Sequence, residues 1–201
     1  MSNVRRELPR ATNRADEILN AAISIVIEEG YAALSIRSVA QRAGVGIGNL
    51  QHYFPTRTHL VRAALDRAFQ QFERGAVPWR TEPKLSPEGK MATAIDYVLA
   101  DQKRADSCLL FWELWALAAH DEQAAAVMTD FYATYINTVA DIICEIRPRL
   151  PRLRAQKAGA LVASLLEGAS LFRGFGKARR GYLSGFDQNL RALVRTIIEQ
   201  A

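Results

Sequence analysis

Cysteine is scarce in this sequence: Cys108 and Cys144 are the only two in 201 residues. Both sit inside apolar helical patterns with no partner at metal-ligand spacing, so they read as small buried hydrophobes and not as a disulfide or a zinc site. Histidine is nearly as rare, at three. His120, Asp121 and Glu122 are consecutive, so on a helix they do not share a face. HExxH, GxSxG and carboxylate–histidine metal spacings are all missing. The sequence therefore lacks an enzyme's constellation, and it calls for no metal or cofactor. No apolar run approaches the ~20 residues that span a bilayer. The opening MSNVRRELPRATNR is charged but lacks the apolar stretch of a secretory signal. A cytoplasmic protein is the expectation. Strand signals are missing as well, with no sustained alternating run bounded by turn residues.

What is present is apolar and helical. Hydrophobic residues make up 49% of the chain, enough for a real core. Twenty-six Lys and Arg against 21 Asp and Glu leave a net charge of +5, which favours an anionic partner without specifying one. Punctuation divides the chain into helices. The first runs from Asn13 or Arg14 to Glu29, with Ile18, Leu19, Ala22, Ile25 and Val26 at helical spacing and Gly30 as its stop. Ser35 caps a second that ends at Gly44, and a third covers about Ile47 to Phe54. Thr56 caps a fourth, and Gly75 to Pro87 reads as a loop. Ser86 and Pro87 open a fifth helix to about Asp101. Leu109 to Ala119 is apolar almost all round, which predicts burial on most sides. Further helices run from Asp121 or Glu122 to RPRLPR, from Arg154 to about Phe175, and from Phe186 or Asp187 to Gln200. The fold class is all-α.

The stretch AGVGIGNLQHYF, Ala43 to Phe54, raises the functional question. A phosphate-cradling loop needs a preceding strand and GxGxxG or GxxxxGK[ST] spacing, and both are absent. The remaining reading is helix, tight turn, helix. Gly44 can take the left-handed conformation that ends a helix, while Gly46 and Gly48 leave the next backbone bare for close approach to another surface. Val45, Leu50 and Phe54 pin this unit to a core; Asn49, Gln51, His52 and Tyr53 carry donors and acceptors outward. A helix-turn-helix places such a helix in the major groove of DNA, though short helix–glycine–helix corners also occur in proteins that bind no DNA. Arg37, Arg42 and Arg57 flank the unit, with Arg5, Arg6, Arg10 and Arg14 upstream. Ser35 and Thr56 place helix N-termini, which favour phosphate, on either side of it.

With these residues in view, LSIRSVAQRAGVGIGNLQHYFPTRTHLVRAAL resembles the DNA-binding segment of the TetR family of bacterial transcriptional regulators. The match covers about Asn13 to Leu65. The resemblance implies a DNA-binding domain over residues 1–57 and a helical regulatory and dimerisation domain over 58–201, with about nine helices and the fourth connecting the two. It implies a homodimer on double-stranded operator DNA, most simply a repressor released by a small-molecule effector. It places Ser35, Arg37, Gly46, Ile47, Gly48, Asn49, Gln51, His52, Tyr53, Thr56 and Arg57 at the DNA. Ser35 stands where the family's capping Thr touches phosphate, Tyr53 where the backbone is often met, and Arg57 where a Lys usually meets phosphate. Gly46 departs from the usual Ser, and Gln51 from the usual Tyr. Gln51 suits bidentate pairing with adenine, and Ile47 a thymine methyl. LFWELWALAAHD also resembles the regulatory-domain signature of a subgroup that includes the choline/betaine regulators.

For the effector, Tyr97, Phe111, Trp112, Trp115, Phe131, Tyr135 and Phe172 are candidate pocket residues, although aromatics at this spacing also serve as plain core. Glu113, Glu167 and Arg173 interrupt apolar helices and must be paired or hydrogen-bonded if buried. Glu113 or Arg173 is the expected contact for a ligand's charge, with Glu113 beside Trp112 and Trp115 suited to a cation; an internal ion pair is the alternative. Leu161, Leu165 and Phe172, with Leu190, Leu193 and Ile197, form broad apolar stripes; paired across a twofold axis, as the resemblance implies, they would give a four-helix interface. A DNA-binding or protein-interaction scaffold without a ligand is the competing function.

Overall fold

The computed structural model describes residues 14–80, 82–177 and 180–201, with the backbone alone at 76–80. Among these residues there are nine α-helices, two short 3-10 turns and no strand. The helices are α1 (Arg14–Glu29), α2 (Ile36–Ala43), α3 (Ile47–Tyr53), α4 (Arg57–Arg80), α5 (Pro87–Asp101), α6 (Ala105–Ala118), α7 (Glu122–Ile146), α8 (Arg152–Arg173) and α9 (Phe186–Gln200). None is long and apolar enough to cross a membrane. The chain divides into two compact units, with the division between Ala68 and Phe69, inside α4.

The first unit is built on the apolar stripe of α1. Ile18, Ala22 and Ile25 are essentially inaccessible, as are Val39 of α2, Leu50 of α3 and Leu60 of α4. Arg67 of α4 ties this unit to α1: its Nε donates to Asn20 Oδ1 at 2.9 Å and its guanidinium pairs with Asp16 at 2.7 Å. In the second unit α5, α7, α8 and α9 share one core, centred on Leu99, Ile143, Val162 and Val194. Helices α7 and α8 approach so closely that a Cβ on Gly159 would lie 2.9 Å from the Ile136 carbonyl oxygen. Only glycine is accommodated there without a backbone shift.

Four expectations are corrected. Gly75 to Pro87 is not a single loop, because α4 continues to Arg80. A glycine and a proline near a helix end read as a break, but tertiary packing outweighs propensity here. Phe69 and Phe72 stack among Phe111, Phe131 and Tyr97, and the Tyr97 hydroxyl donates to the Phe72 carbonyl at 2.7 Å. Helix α8 stops at Arg173, short of Phe175; a Cβ on the following Gly174 would meet Cys108 Sγ at 2.8 Å. Helix α6 is less buried than its apolar composition implies, with only Cys108, Leu114 and Leu117 fully inside. Leu190, expected at a dimer face, is 4% exposed and belongs to the core with Val194 and Ile198.

Candidate nucleic-acid interface and effector cavities

The turn between α2 and α3 is fixed by local chemistry. The Ser35 hydroxyl accepts from the Ser38 amide at 3.0 Å, and the Ser38 hydroxyl accepts from the Ser35 amide at 3.0 Å, forming a reciprocal cap. At the other end Gly44 adopts φ 66°, ψ 36°, and the Val45 amide reaches back to the Ala40 carbonyl at 3.0 Å. That closure delivers α3, a helix of seven residues. Only Leu50, at 0% exposure, is buried in it, with Phe54 just beyond as a second anchor. Ile47 and Tyr53 are 44% and 43% exposed, and Gly48, Asn49, Gln51 and His52 are exposed with them. A Cβ at Gly46 or Gly48 would touch nothing within 4 Å, so no internal packing demands glycine at either position. Thr56 caps α4 by accepting from the His59 amide at 3.2 Å.

The cations around this unit differ in what they already hold. Arg37 is exposed. Arg57 donates through Nε to the Leu34 carbonyl at 2.8 Å and lies 4.6 Å from the Tyr31 ring centroid, so it also braces the turn preceding α2. Arg42 pairs with Glu28 at 2.6 Å and with Glu29, and Arg14 pairs with Glu17. Those two arginines hold acidic partners on α1 in the protein without DNA. Arg5, Arg6 and Arg10 lie outside the described residues.

The second unit holds two neighbouring cavities. The larger, about 50 Å³, is mostly apolar and lined by Tyr97, Phe131, Tyr135, Val139, Val162 and Leu166 among others, together with Glu73, Thr134 and Thr138. The smaller, about 20 Å³, is lined by Asp101, Phe111, Trp112, Trp115, Glu167 and Ser170 among others. Phe72 and Val98 line both. Indole nitrogens are held in place: Trp115 Nε1 donates to the Tyr132 hydroxyl at 2.7 Å, and Trp112 Nε1 lies 3.4 Å from Ser170 Oγ. The Lys177 ammonium sits 4.5 Å from the centroid of Trp112. Burial, reinforced by the Asp101 charge, pushes the Glu167 carboxyl up to about 7. The Tyr135 hydroxyl is buried and has no hydrogen-bond partner among the described residues. Burial holds it protonated far above its ordinary range, with Glu167 and Tyr132 adding to the effect. No group of three or more His, Cys, Asp or Glu among the described residues is arranged to hold a metal.

Comparison with known proteins decides the family. The profile described as "Bacterial regulatory proteins, tetR family" matches residues 18–64, and "BetI-type transcriptional repressor, C-terminal" matches residues 87–201. The chain belongs to the TetR family. It is a helix-turn-helix, DNA-binding transcriptional regulator with a BetI-type C-terminal region. It is 28% identical over 190 residues to the HTH-type transcriptional regulator BetI of Cronobacter sakazakii, covering 93% of this chain and 88% of that one. To the HTH-type transcriptional repressor KstR of Mycolicibacterium smegmatis it is 42% identical over 60 residues, 30% of this chain and 29% of that one. A solved transcriptional regulator from Pseudomonas aeruginosa PAO1 shares the fold at a TM-score of 0.76 and 16% identity, over 93% of this chain and 89% of that one. One from Saccharomonospora viridis, solved in complex with choline, does so at 0.68 and 17%, over 92% and 95%.

Within this TetR-family chain the expected effector residues separate. Tyr97 and Tyr135 line the apolar cavity, and Phe111, Trp112 and Trp115 line the acidic one. Glu113 lines neither; the carboxylate among the tryptophans is Glu167. Arg173 is committed internally, pairing with Asp187 at 2.6 Å and donating to the Leu99 carbonyl at 3.1 Å. Phe172 is 56% exposed and faces away from the interior. Leu161 is 60% exposed and Leu193 47%, while Leu165 and Ile197 are half-buried against the core of this unit. Leu153 and Leu171 are exposed as well, two apolar positions that the sequence stripe did not single out.

Proposed function

We propose that this chain is a cytoplasmic, homodimeric repressor whose grip on operator DNA is released by a small cation bound among Trp112, Trp115 and Glu167. Residues 1–57 read the DNA, and 58–201, with α4 as the connection, bind the effector and the second protomer. The observation that carries the reading is the division of labour on α3: Leu50 alone is buried while Ile47, Gly48, Asn49, Gln51, His52 and Tyr53 are all exposed. A helix held by one internal side chain and offering polar and small groups outward fits the major groove. Gln51 and Ile47 are assigned to base edges; Ser35, Arg37, Tyr53, Thr56 and Arg57 to phosphates. Exposed Leu161, Phe172 and Leu193 supply the twofold face, which sets two reading helices about 34–36 Å apart or a multiple of a DNA turn. A cation is the effector class favoured because Glu167 lines a cavity together with Trp112 and Trp115, where the Lys177 ammonium already lies 4.5 Å from the Trp112 ring centroid.

Fluorescence anisotropy with DNA from upstream of the gene, in excess scrambled competitor, tests the assignment. Arg37→Ala is expected to weaken operator and scrambled DNA alike and flatten the salt dependence by about one unit. Gln51→Ala is expected to cost about 1–3 kcal/mol on the operator alone. Equal losses on both DNAs for Gln51→Ala would refute base readout.

A further inference from the structure

The first turn of α4 carries a titratable side chain that has no part in the DNA contacts assigned so far. His59 is exposed, and its ring Nδ1 lies 2.8 Å from the hydroxyl oxygen of Thr56, the cap of the same helix. That oxygen also accepts from the His59 amide at 3.2 Å. A hydroxyl has one hydrogen to donate and two lone pairs with which to accept, so the ring nitrogen decides what is left over. When Nδ1 bears no proton, Thr56 donates its only hydrogen to the ring and turns a lone pair outward. When the ring is charged, Nδ1–H donates to Thr56, both lone pairs are taken, and the hydroxyl hydrogen is free to point away from the protein. A phosphate oxygen accepts hydrogen bonds and repels lone pairs, so only the second arrangement serves it. A neutral ring reaches that arrangement only by moving its proton from Nε2 to Nδ1, and then brings no charge to the phosphate. Imidazole is the side chain whose ordinary charge change falls between pH 5 and 8. No carboxylate pairs with His59 among the described residues: the ion pairs of this unit are Arg14–Glu17, Arg42–Glu28, Arg42–Glu29 and Arg67–Asp16. Along α4 its charged neighbours are Arg57 and Arg62, with Asp66 two turns on; the helices before it expose Arg37 on α2 and His52 and Tyr53 on α3. Arg57 is turned to the Leu34 carbonyl and the Tyr31 ring. A charge on His59 thus has cations beside it and no acidic partner, and an anion from outside is what would balance it.

Resting on the placement of Thr56 at a phosphate, we infer that His59 is a positioning residue for that contact: DNA binding takes up a proton at its ring, and the charged imidazole turns the Thr56 hydroxyl hydrogen toward the phosphate. The proton comes from solvent, at most one per protomer, and returns there on release. Linkage then fixes the sign. A complex that holds more protons than its separated parts tightens as pH falls and loosens as pH rises. The expected gain in DNA affinity from pH 8 to pH 6 is about tenfold, the scale of one hydrogen bond that becomes charge-assisted. A phosphate contact carries no sequence information, so operator and scrambled DNA share it.

The test is fluorescence anisotropy of the full-length protein on a scrambled DNA duplex, at fixed ionic strength, from pH 6 to pH 8; no operator is needed. His59→Gln is expected to flatten the pH dependence, and Thr56→Ala to remove most of it, while Thr56→Ser, which keeps the hydroxyl, retains it. His59→Gln added to Thr56→Ala is expected to change the slope little further. His52→Gln, on α3, is expected to leave the His59-dependent difference intact. Glu167, which titrates near 7 in the second unit, is present in every variant and cancels from the comparison. His59→Gln changes an exposed side chain, so the inference stays testable should Thr56→Ala not fold. A wild-type affinity that does not rise toward pH 6, or a rise that survives His59→Gln, overturns the inference. A rise lost in His59→Gln but whole in Thr56→Ala makes His59 a plain charge and overturns its action through Thr56. Absence of DNA binding at every pH overturns the DNA reading itself.

Discussion

Replacing Glu167 by Gln makes the fold's most exacting electrostatic feature measurable. In the unfolded chain this carboxyl titrates near its ordinary 4.5, and in the native protein near 7. Between those values the native state holds the proton and the unfolded state does not, so stability falls as pH rises through the window. Above pH 7 the native carboxylate is ionised against its surroundings. A displacement of that size corresponds to about 3 kcal/mol, at 1.36 kcal/mol per unit. Glutamine does not titrate, so any fixed gain or loss from its amide cancels when two pH values are compared. Relative to wild type, Glu167→Gln is expected to be about 3 kcal/mol more stable at pH 8 than the same comparison gives at pH 4.5. For a chain of this length the Tm difference between the two proteins is expected to change by about 6–12 °C between those two pH values. Urea titrations of both proteins at fixed concentration read the difference directly. Asp101, Tyr132 and Tyr135 act electrostatically with this carboxyl, and all remain in the variant. A stability difference that does not change with pH would refute the argument. The same protonation governs the effector: a cation that requires the carboxylate is expected to bind about tenfold more weakly at pH 6 than at pH 8, and Glu167→Gln removes that dependence.

Two further outcomes follow from packing. Gly159→Ala introduces a Cβ 2.9 Å from the Ile136 carbonyl, and the helix shift it forces is expected to cost about 1–3 kcal/mol by chemical denaturation, whereas Gly168→Ala on the same helix, where the added Cβ meets nothing, is expected to gain about 0.5–1 kcal/mol. Leu161→Glu with Leu193→Glu places like charges on the exposed apolar face. Light scattering is expected to show a monomer at micromolar concentration with operator binding lost, and a persistent dimer would move the interface elsewhere.

The helices of this TetR-family chain were legible because their signals are local. Ser35, Gly44, Thr56, Ser86 and Asp121 act within three or four residues of themselves, and each ends or begins a helix where the sequence places it. The effector cavities were not, because they depend on which helices meet. Glu113 is adjacent to Trp112 in the chain, yet consecutive helical residues point about 100° apart. Glu167 lies at i+4 from Ala163 and i−3 from Ser170, both buried, and that spacing puts it along the inward stripe of α8. The spacing was the available signal. Arg173 finds Asp187 across a 3-10 turn and a loop that no periodicity predicts. Where α4 runs past Gly75 it packs against Tyr97, a residue of the next helix, whose hydroxyl lies where a Cβ on Gly75 would be.

The single buried position of α3 has an evolutionary consequence. Since folding draws on Leu50 and Phe54 while the other side chains of the helix meet solvent, substitutions at Ile47, Asn49, Gln51 and His52 change stability by no more than a few tenths of a kcal/mol. Leu50→Ala, by contrast, costs about 2–5 kcal/mol. Operator preference can therefore drift, or be rewritten in the laboratory, without a compensating mutation elsewhere. Duplicated copies of such a chain could diverge onto new promoters while keeping one unchanged scaffold.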